Sequence, residues 1–491
     1  MKNYYLTLFS CIAVLSAIDA WSQQDDYITF LPGWTGNTPT NQYSGYLNAS
    51  DTTHLHYWFV ESESDPSNDP VVVWFNGGPG CSSLDGFFYE HGPFEINPSN
   101  YSQLQEREYR WNKIANVLYI ESPVGVGFSY SDTESYQIDD DKAASDNRAA
   151  VEAFYSMYPE YKSNKLYITG ESYAGIYVPT LAEAIVQGQL DGTYTGATLT
   201  GIAVGNGCSG NEIGMCSSGS QGTYYQWTYL ISTGFVEQDL KRQIMNECDW
   251  EAAAANKKGA LSLQCTSLLN QASAQIQNIN LYNIYGDCVS DMGCNNDMKV
   301  RSKVPIREDY VVEENGKRET LIEGRIIPHG PDACIDGAAA SAYLNQDNVM
   351  EAIHVVKPGF CWAVCSSAKG WSYKSTRPNL PRDTYPLLLQ NIDVTIYNGD
   401  FDACVPYTDN EAWTENMGFA TKSPWHKWDY TSVNGAENQV GGYAVSYDVS
   451  SLGSDHLFEF ITVRGGRHEV PESAPAQGLE MLRRIISSTP F

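Results

Sequence analysis

Six short, continuously apolar runs constrain this chain more than any other feature. Residues 70–75, 116–120, 165–169, 198–204, 393–397 and 457–463 are too short for helices and too uniformly apolar for strands with one wet face. Runs of this kind are stable only when both faces are covered, as in a mostly parallel sheet flanked by helices. Helical spacing over 141–158, 173–187, 346–355 and 476–487 supplies that cover. The alternation predicts an α/β architecture.

Strand signals stop after Val204 and resume near Asp393. The gap opens with 207–331, a polar stretch holding six cysteines and an Ala-rich helix candidate, which reads as an insertion. The expected organisation is a core in two parts, 22–206 and 334–491, interrupted by a disulfide-rich cap domain over 207–333. Within the insertion, 299–325 collects seven Lys and Arg residues in a chain of 30 basic against 59 acidic side chains. A solvated loop is the favoured reading and a site of proteolytic maturation the lesser one. No internal repeat is present.

The net charge of −29 repels phosphate backbones and anionic lipid, which excludes nucleic acid and a membrane surface as expected partners. With 33 Tyr and 12 Trp the chain has packing area that disordered segments lack. Its first residues read as an address. Lys2 precedes the apolar run 6–18, with small residues at Ser16, Ala17 and Ala20, the pattern of a secretory signal peptide over 1–21. No later stretch reaches the roughly 18 uncharged apolar residues of a spanning helix. Removing the leader takes Cys11 and leaves eleven cysteines without a CxxC pair, so disulfides are favoured over a metal site, with at least one free thiol. Asn48 and Asn100 head glycosylation sequons.

The run 165–169 leads into Gly170-Glu171-Ser172-Tyr173-Ala174-Gly175, and helical spacing follows at once. A serine between small residues on a strand-to-helix turn has the context of a nucleophile elbow, with a helix N-terminus placed to favour developing negative charge. The competing reading, a serine N-cap, leaves the paired glycines unexplained. A nucleophilic serine needs a base, and the hydrolase order Ser, acid, His places it late in the chain. His468 follows a strand through Gly465-Gly466-Arg467, a turn that presents its ring at the C-terminal edge of the sheet. His456 precedes that strand, and His426 sits between Trp425 and Trp428 as a packing residue. For the acid, the run 393–397 ends in Asn398-Gly399-Asp400-Phe401-Asp402, and spacing leaves Asp400 and Asp402 both open.

These blocks, with Trp74-Phe75-Asn76-Gly77-Gly78-Pro79-Gly80-Cys81-Ser82-Ser83, Glu121 to Tyr130 and Gly466-Arg467-His468-Glu469-Val470-Pro471, resemble the serine carboxypeptidase family from about Phe30 onward. The resemblance implies an α/β-hydrolase fold and a Ser172, Asp402, His468 triad. It implies an oxyanion hole at the Gly78 and Tyr173 backbone N–H groups. A peptide's terminal carboxylate would meet Asn76, the Gly77 backbone, Glu90 and Glu171, with Trp74 as floor. Arg467 departs from the small residues usual before the family histidine. Glu469 would reach the leaving-residue pocket and favour Lys or Arg, unless it only balances Arg467.

A long Cys81–Cys334 disulfide is also implied by the resemblance. The remaining cysteines are then expected to pair with near neighbours, Cys208–Cys216, Cys248–Cys265, Cys288–Cys294 and Cys361–Cys365, leaving Cys404 free. No cofactor or metal is implied. The expected activity is release of single residues from peptide and protein C-termini through an acyl-enzyme. Two facing carboxyls must share a proton to bind a carboxylate, so activity should peak in acid, in a lysosome, a vacuole or a secreted setting. The alternatives on this scaffold are acyl transfer to an alcohol and a protective binding role. Oligomeric state is left open, a homodimer being one option.

Overall fold

The computed structural model describes residues 23–276, 279–289, 311–314, 317–320, 334–356 and 359–491. The expected leader, Cys294 and most of the basic stretch 299–325 lie outside the described residues.

All six apolar runs form strands of one sheet. In chain order its main strands are β1 (Gln42–Ser50), β2 (Thr53–Val60), β3 (Val71–Phe75), β4 (Asn116–Ile120), β5 (Leu166–Glu171), β6 (Leu199–Gly205), β7 (Asp393–Gly399), β8 (Ala420–Tyr430), β9 (Gln439–Asp448) and β10 (Phe458–Val463). They lie side by side in the order β1-β2-β4-β3-β5-β6-β7-β10-β9-β8. The centre, from β4 to β10, is parallel, and antiparallel pairs extend it at both ends. The sheet is therefore mixed. Sequence reading passes over the end strands because they do not read as buried. β8 carries Pro424 and two lysines and exposes most of its residues, which only an edge strand tolerates, and its register slips on both sides of that proline.

Helix α1 (Asp140–Met157) and helix α2 (Ala174–Asp191) cover one face. Phe154, Ile176, Val178 and Leu181 pack there on Val71, Val73, Leu118 and Ile168. Asp139 caps α1 by accepting the Lys142 N–H, and Gly192 at φ +77° ends α2. The other face buries Trp58, Trp74, Trp111 and Trp362 with Met481 and Leu482 of the helix Pro475–Ile486. Each such side chain contributes about 1.5–3 kcal/mol by leaving water.

Between β6 and β7 the chain adds α3 (Ser220–Ser232), α4 (Gln238–Glu247), α5 (Trp250–Ala254) and α6 (Leu263–Gln275). These helices share an apolar cluster around Trp227, Leu230, Ile244, Leu268 and Leu269. Cys248–Cys265 staples α6 to the end of α4, and Cys208–Cys216 closes a short loop, both as nearest-neighbour pairing predicts.

The other pairings need correction. Cys81 bonds Cys365, not Cys334, because the loop after β3 runs against 364–366. There the Ser82 N–H donates to Val364 O and the Ser366 N–H to Gly80 O, each at 2.7 Å. Cys334 bonds Cys288 instead, which excludes the expected Cys288–Cys294 link. Cys361 is disulfide-bonded too, but Cys365 is already taken, so the expected Cys361–Cys365 loop does not form. Cys404 is a free cysteine. Asn48 and Asn100 are both exposed. No helix among the described residues is long and apolar enough to cross a membrane.

Candidate active site

Strand β5 ends at Glu171, α2 begins at Ala174, and Ser172 between them is held at φ +62°. A non-glycine residue there costs about 1–2 kcal/mol, so its surroundings must enforce it. Three backbone bonds do so. The Ser172 N–H donates to Gly205 O at 2.9 Å, and Ser172 O accepts from Cys208 at 3.0 Å and Gly175 at 2.9 Å. The flanking glycines are required by contact. A Cβ on Gly170 would lie 2.5 Å from Phe75 O, and one on Gly175 2.3 Å from Cys208 O.

Strands β7 and β10 bring Asp402 and His468 to the same edge of the sheet. Asp402 Oδ2 lies 2.7 Å from His468 Nδ1, and both side chains are buried. Asp402 Oδ1 accepts the Cys404 N–H at 2.7 Å, and Oδ2 accepts the Val405 N–H at 3.1 Å and Asn206 Nδ2 at 2.8 Å. Burial pulls the imidazole's pKa down, but the charge and hydrogen bond of Asp402 more than offset it, so the net shift is upward. His468 Nε2 is buried without a hydrogen-bond partner among the described residues, which leaves it for a reacting group. Asp400 does something else. Its Oδ1 accepts the Gly465 N–H at 2.7 Å and so shapes the turn before His468, and burial raises its pKa to about 6. His456 is paired with Asp393 at the other end of β7, and His426 lies on the edge strand β8.

Two residues beside the pair escape sequence reading. Asn206 sits at φ +41° just after β6, where its Nδ2 holds Asp402 and its Oδ1 accepts the Gly399 N–H at 2.9 Å. The available signal was its position one residue past a buried strand next to β5. Tyr282, from the insertion, packs its ring at 4.8 Å and a 60° tilt against the His468 ring, and its backbone O accepts the His468 N–H at 2.8 Å. Nothing in the sequence near Tyr282 marks that contact.

A second polar cluster lies at the end of β3. Asn76 Oδ1 accepts Trp74 Nε1–H at 2.8 Å and the Gly86 N–H at 3.0 Å, which fixes the orientation of the amide. Its Nδ2 then donates to Glu90 Oε1 at 3.1 Å and to Glu171 Oε1 at 3.0 Å. The second oxygen of each glutamate is buried without a partner among the described residues. Burial first, and then neighbouring acids, push both carboxyl pKa values well up. Asp85 is among those acids, its own pKa raised to about 7 by burial and by Glu469. Glu469 pairs with Arg467 at 3.1 Å. Trp74 is fully buried and joins the cluster by its hydrogen bond to Asn76.

The Gly77-Gly78 loop closes on the elbow. A Cβ on Gly77 would lie 2.4 Å from the Tyr173 nitrogen and 2.7 Å from Ser172 Cβ, and Gly78 holds φ +111°. A serine on a strained turn, a buried Asp–His pair and a glycine loop at the next N–H are thus gathered at one sheet edge. The serine carboxypeptidase family model matches residues 32–488.

The chain belongs to the serine carboxypeptidase family. By family it is a serine-type carboxypeptidase, a hydrolase of the α/β-hydrolase fold. Serine carboxypeptidase-like 21 of Arabidopsis thaliana is 34% identical, the match covering 94% of this chain and 93% of the relative. The lysosomal protective protein of Mus musculus is 33% identical over 99% of this chain and 98% of its own. Serine carboxypeptidase 1 of Hordeum vulgare is 31% identical over 94% and 92%. Among solved structures, a prohormone-processing carboxypeptidase from Saccharomyces cerevisiae superposes with a TM-score of 0.67 at 19% identity, covering 96% of both chains, which supports the fold.

Proposed function

We propose that this carboxypeptidase works in an acidic compartment of the secretory pathway and releases single residues from peptide C-termini through an acyl-enzyme. Ser172 Oγ attacks the scissile carbonyl while His468 Nε2 takes its proton, and Asp402 holds the ring and stabilises the imidazolium. The Gly78 and Tyr173 N–H groups donate to the oxyanion that exists only in the tetrahedral state. His468 then protonates the leaving amine, and water repeats the sequence to free the shortened peptide. The terminal carboxylate is received by Asn76, Glu90, Glu171 and the Gly77 backbone, with Tyr282 of the insertion beside His468.

One observation carries this reading: two buried glutamates share an asparagine, and each keeps an oxygen without a partner among the described residues. Such a pair suits an incoming carboxylate only when it holds a proton, which favours acid. The mouse relative's name, lysosomal protective protein, supports the same compartment.

Incubating the purified protein with an N-blocked dipeptide, with and without added alcohol, tests it. Free C-terminal amino acid is expected in both cases. Release that occurs only when alcohol is present, with the blocked acyl group recovered as ester and none as free acid, would overturn the peptidase reading in favour of acyl transfer.

A further inference from the structure

Asp140, the first residue of α1, is a buried carboxylate that the chemistry above leaves unused. It does not cap its helix, since Asp139 does. Instead it collects five donors. Oδ1 accepts the hydroxyls of Tyr173 and Tyr373, each at 2.8 Å. Oδ2 accepts the N–H groups of Thr376 at 2.5 Å and Arg377 at 2.9 Å, and the Ser375 hydroxyl at 3.3 Å.

One of those donors belongs to the residue after the nucleophile. The Tyr173 ring meets Tyr177 and Tyr373 edge-on, both at 5.4 Å. Trp371, stacked on Tyr373 at 6.1 Å, lies over Gly80, where a Cβ would sit 2.4 Å from its ring. Tyr173 is therefore held at both ends, its backbone by the elbow and its hydroxyl by Asp140. The same aromatic group touches the glycine loop that carries Gly78.

We propose that Asp140 is a positioning residue for the oxyanion hole. By holding the Tyr173 hydroxyl it fixes the direction of the Tyr173 N–H relative to that of Gly78. This rests on the oxyanion role assigned to Tyr173 above. The bland competitor is that Asp140 only fastens 373–377 to α1. Catalysis is sensitive to the aim of an oxyanion donor. Losing one outright costs about 10²–10³ in turnover, and misdirecting one costs part of that.

Two single-atom deletions separate the readings. Tyr173→Phe keeps the ring and the backbone N–H but cuts the link, whereas Tyr373→Phe removes an equivalent bond from the same oxygen and leaves the link intact. Turnover of the blocked dipeptide, affinity for a peptide boronate and melting temperature are measured for both, and for Asp140→Asn. Tyr173→Phe and Asp140→Asn should each lower kcat about tenfold with KM changed less than about twofold, and weaken boronate by the same factor. Their double variant should be no worse than either alone, and Tyr373→Phe should keep the parent's kcat and boronate affinity. Wild-type kcat and boronate affinity in Tyr173→Phe, or equal losses in Tyr373→Phe, would overturn the proposal. If Asp140→Asn does not fold, the two tyrosine variants decide. Boronate affinity reads the hole without turnover, so a protein that cleaves no peptide, which would sink the peptidase reading, still reports on Asp140.

Discussion

If the Glu90/Glu171 pair receives the peptide carboxylate as proposed, it must carry a proton to do so, and raising the pH should weaken peptide binding well before it impairs the nucleophile. Asn76 offers both pair members a hydrogen bond, since its oxygen is already engaged by Trp74 and Gly86. With one proton on the pair, a glutamate can donate to the substrate. With none, three negative groups meet, and two unit charges about 4 Å apart at an effective dielectric near 20 repel by about 4 kcal/mol. Peptide KM should then rise about tenfold per pH unit above the pair's titration, which burial moves well above the ordinary carboxylate range. A substrate whose terminal carboxyl is an ester or amide escapes this rise. Steady-state kinetics on the free and blocked forms from pH 4 to 8 read both effects, and Glu90→Gln with Glu171→Gln should flatten the slope for the free peptide. An equal wild-type KM for peptide at acidic and neutral pH would refute the shared proton.

The same pair should tie stability to pH, and the sign follows from the upward shifts. The folded state binds these protons more tightly than the unfolded state, so stability is greatest below the unfolded carboxyl range and is lost as pH climbs towards the folded values. Each group can cost up to about 1.4 kcal/mol per pH unit across that window. Relative to the parent, the double Gln variant should therefore gain melting temperature on going from pH 4.5 to pH 7. A constant difference between the two proteins would mean the pair titrates normally.

Four further outcomes are expected. Ser172→Ala should abolish hydrolysis with a melting temperature close to the parent's, and residual burst kinetics would point to another nucleophile. Asp402→Asn should cost orders of magnitude in kcat while Asp400→Asn costs far less, since only Asp402 touches His468, and the reverse ranking would reassign the acid. Thiol labelling in denaturant should modify Cys404, slowly before unfolding because burial raises its pKa, and a labelled peptide bearing another mature-chain cysteine would contradict the assignment. If Glu469 contributes to the leaving-residue pocket, Glu469→Ala should lower the ratio of C-terminal Arg to Leu release, and an unchanged ratio leaves it only as the partner of Arg467.

The parallel centre of the fold was readable because its strands are apolar on both faces, a pattern few other structures permit. The ends were not, because β1 is buried over Gln42–Leu47 although Gln42, Ser44 and Gly45 break its apolar run, and β8, with Pro424 and exposed lysines, follows the rules for an edge strand that meets water. The elbow was readable from Gly170 and Gly175, whose need for space follows from close backbone packing. Spacing left Asp400 and Asp402 both open, since it cannot tell which carboxylate turns inward, and only the family resemblance pointed to Asp402. Long-range disulfides were invisible for a related reason. Cys81 and Cys365 are 284 residues apart and meet only because two loops run side by side.

What the site retains at a cost to stability also argues for what it does. A buried polar atom without a partner costs about 1–3 kcal/mol, and His468 Nε2, Glu90 Oε2 and Glu171 Oε2 are all in that state among the described residues. Part of their surroundings is fully paired: Asp402 is filled by Asn206 and two backbone N–H groups, and the Asn76 amide uses both its oxygen and its nitrogen, whereas Tyr397 Oη near the two glutamates is also without a partner among the described residues. Bare buried atoms occur elsewhere too, at Asn147 Nδ2 and Tyr155 Oη for instance, but here three stand at the Ser172 end of the sheet, an arrangement with a use. It is what a substrate carboxylate and a transferring proton require, because each must find its partner unoccupied on arrival. A peptide with a free C-terminus supplies both, which a binding partner offering neither carboxylate nor acyl group does not.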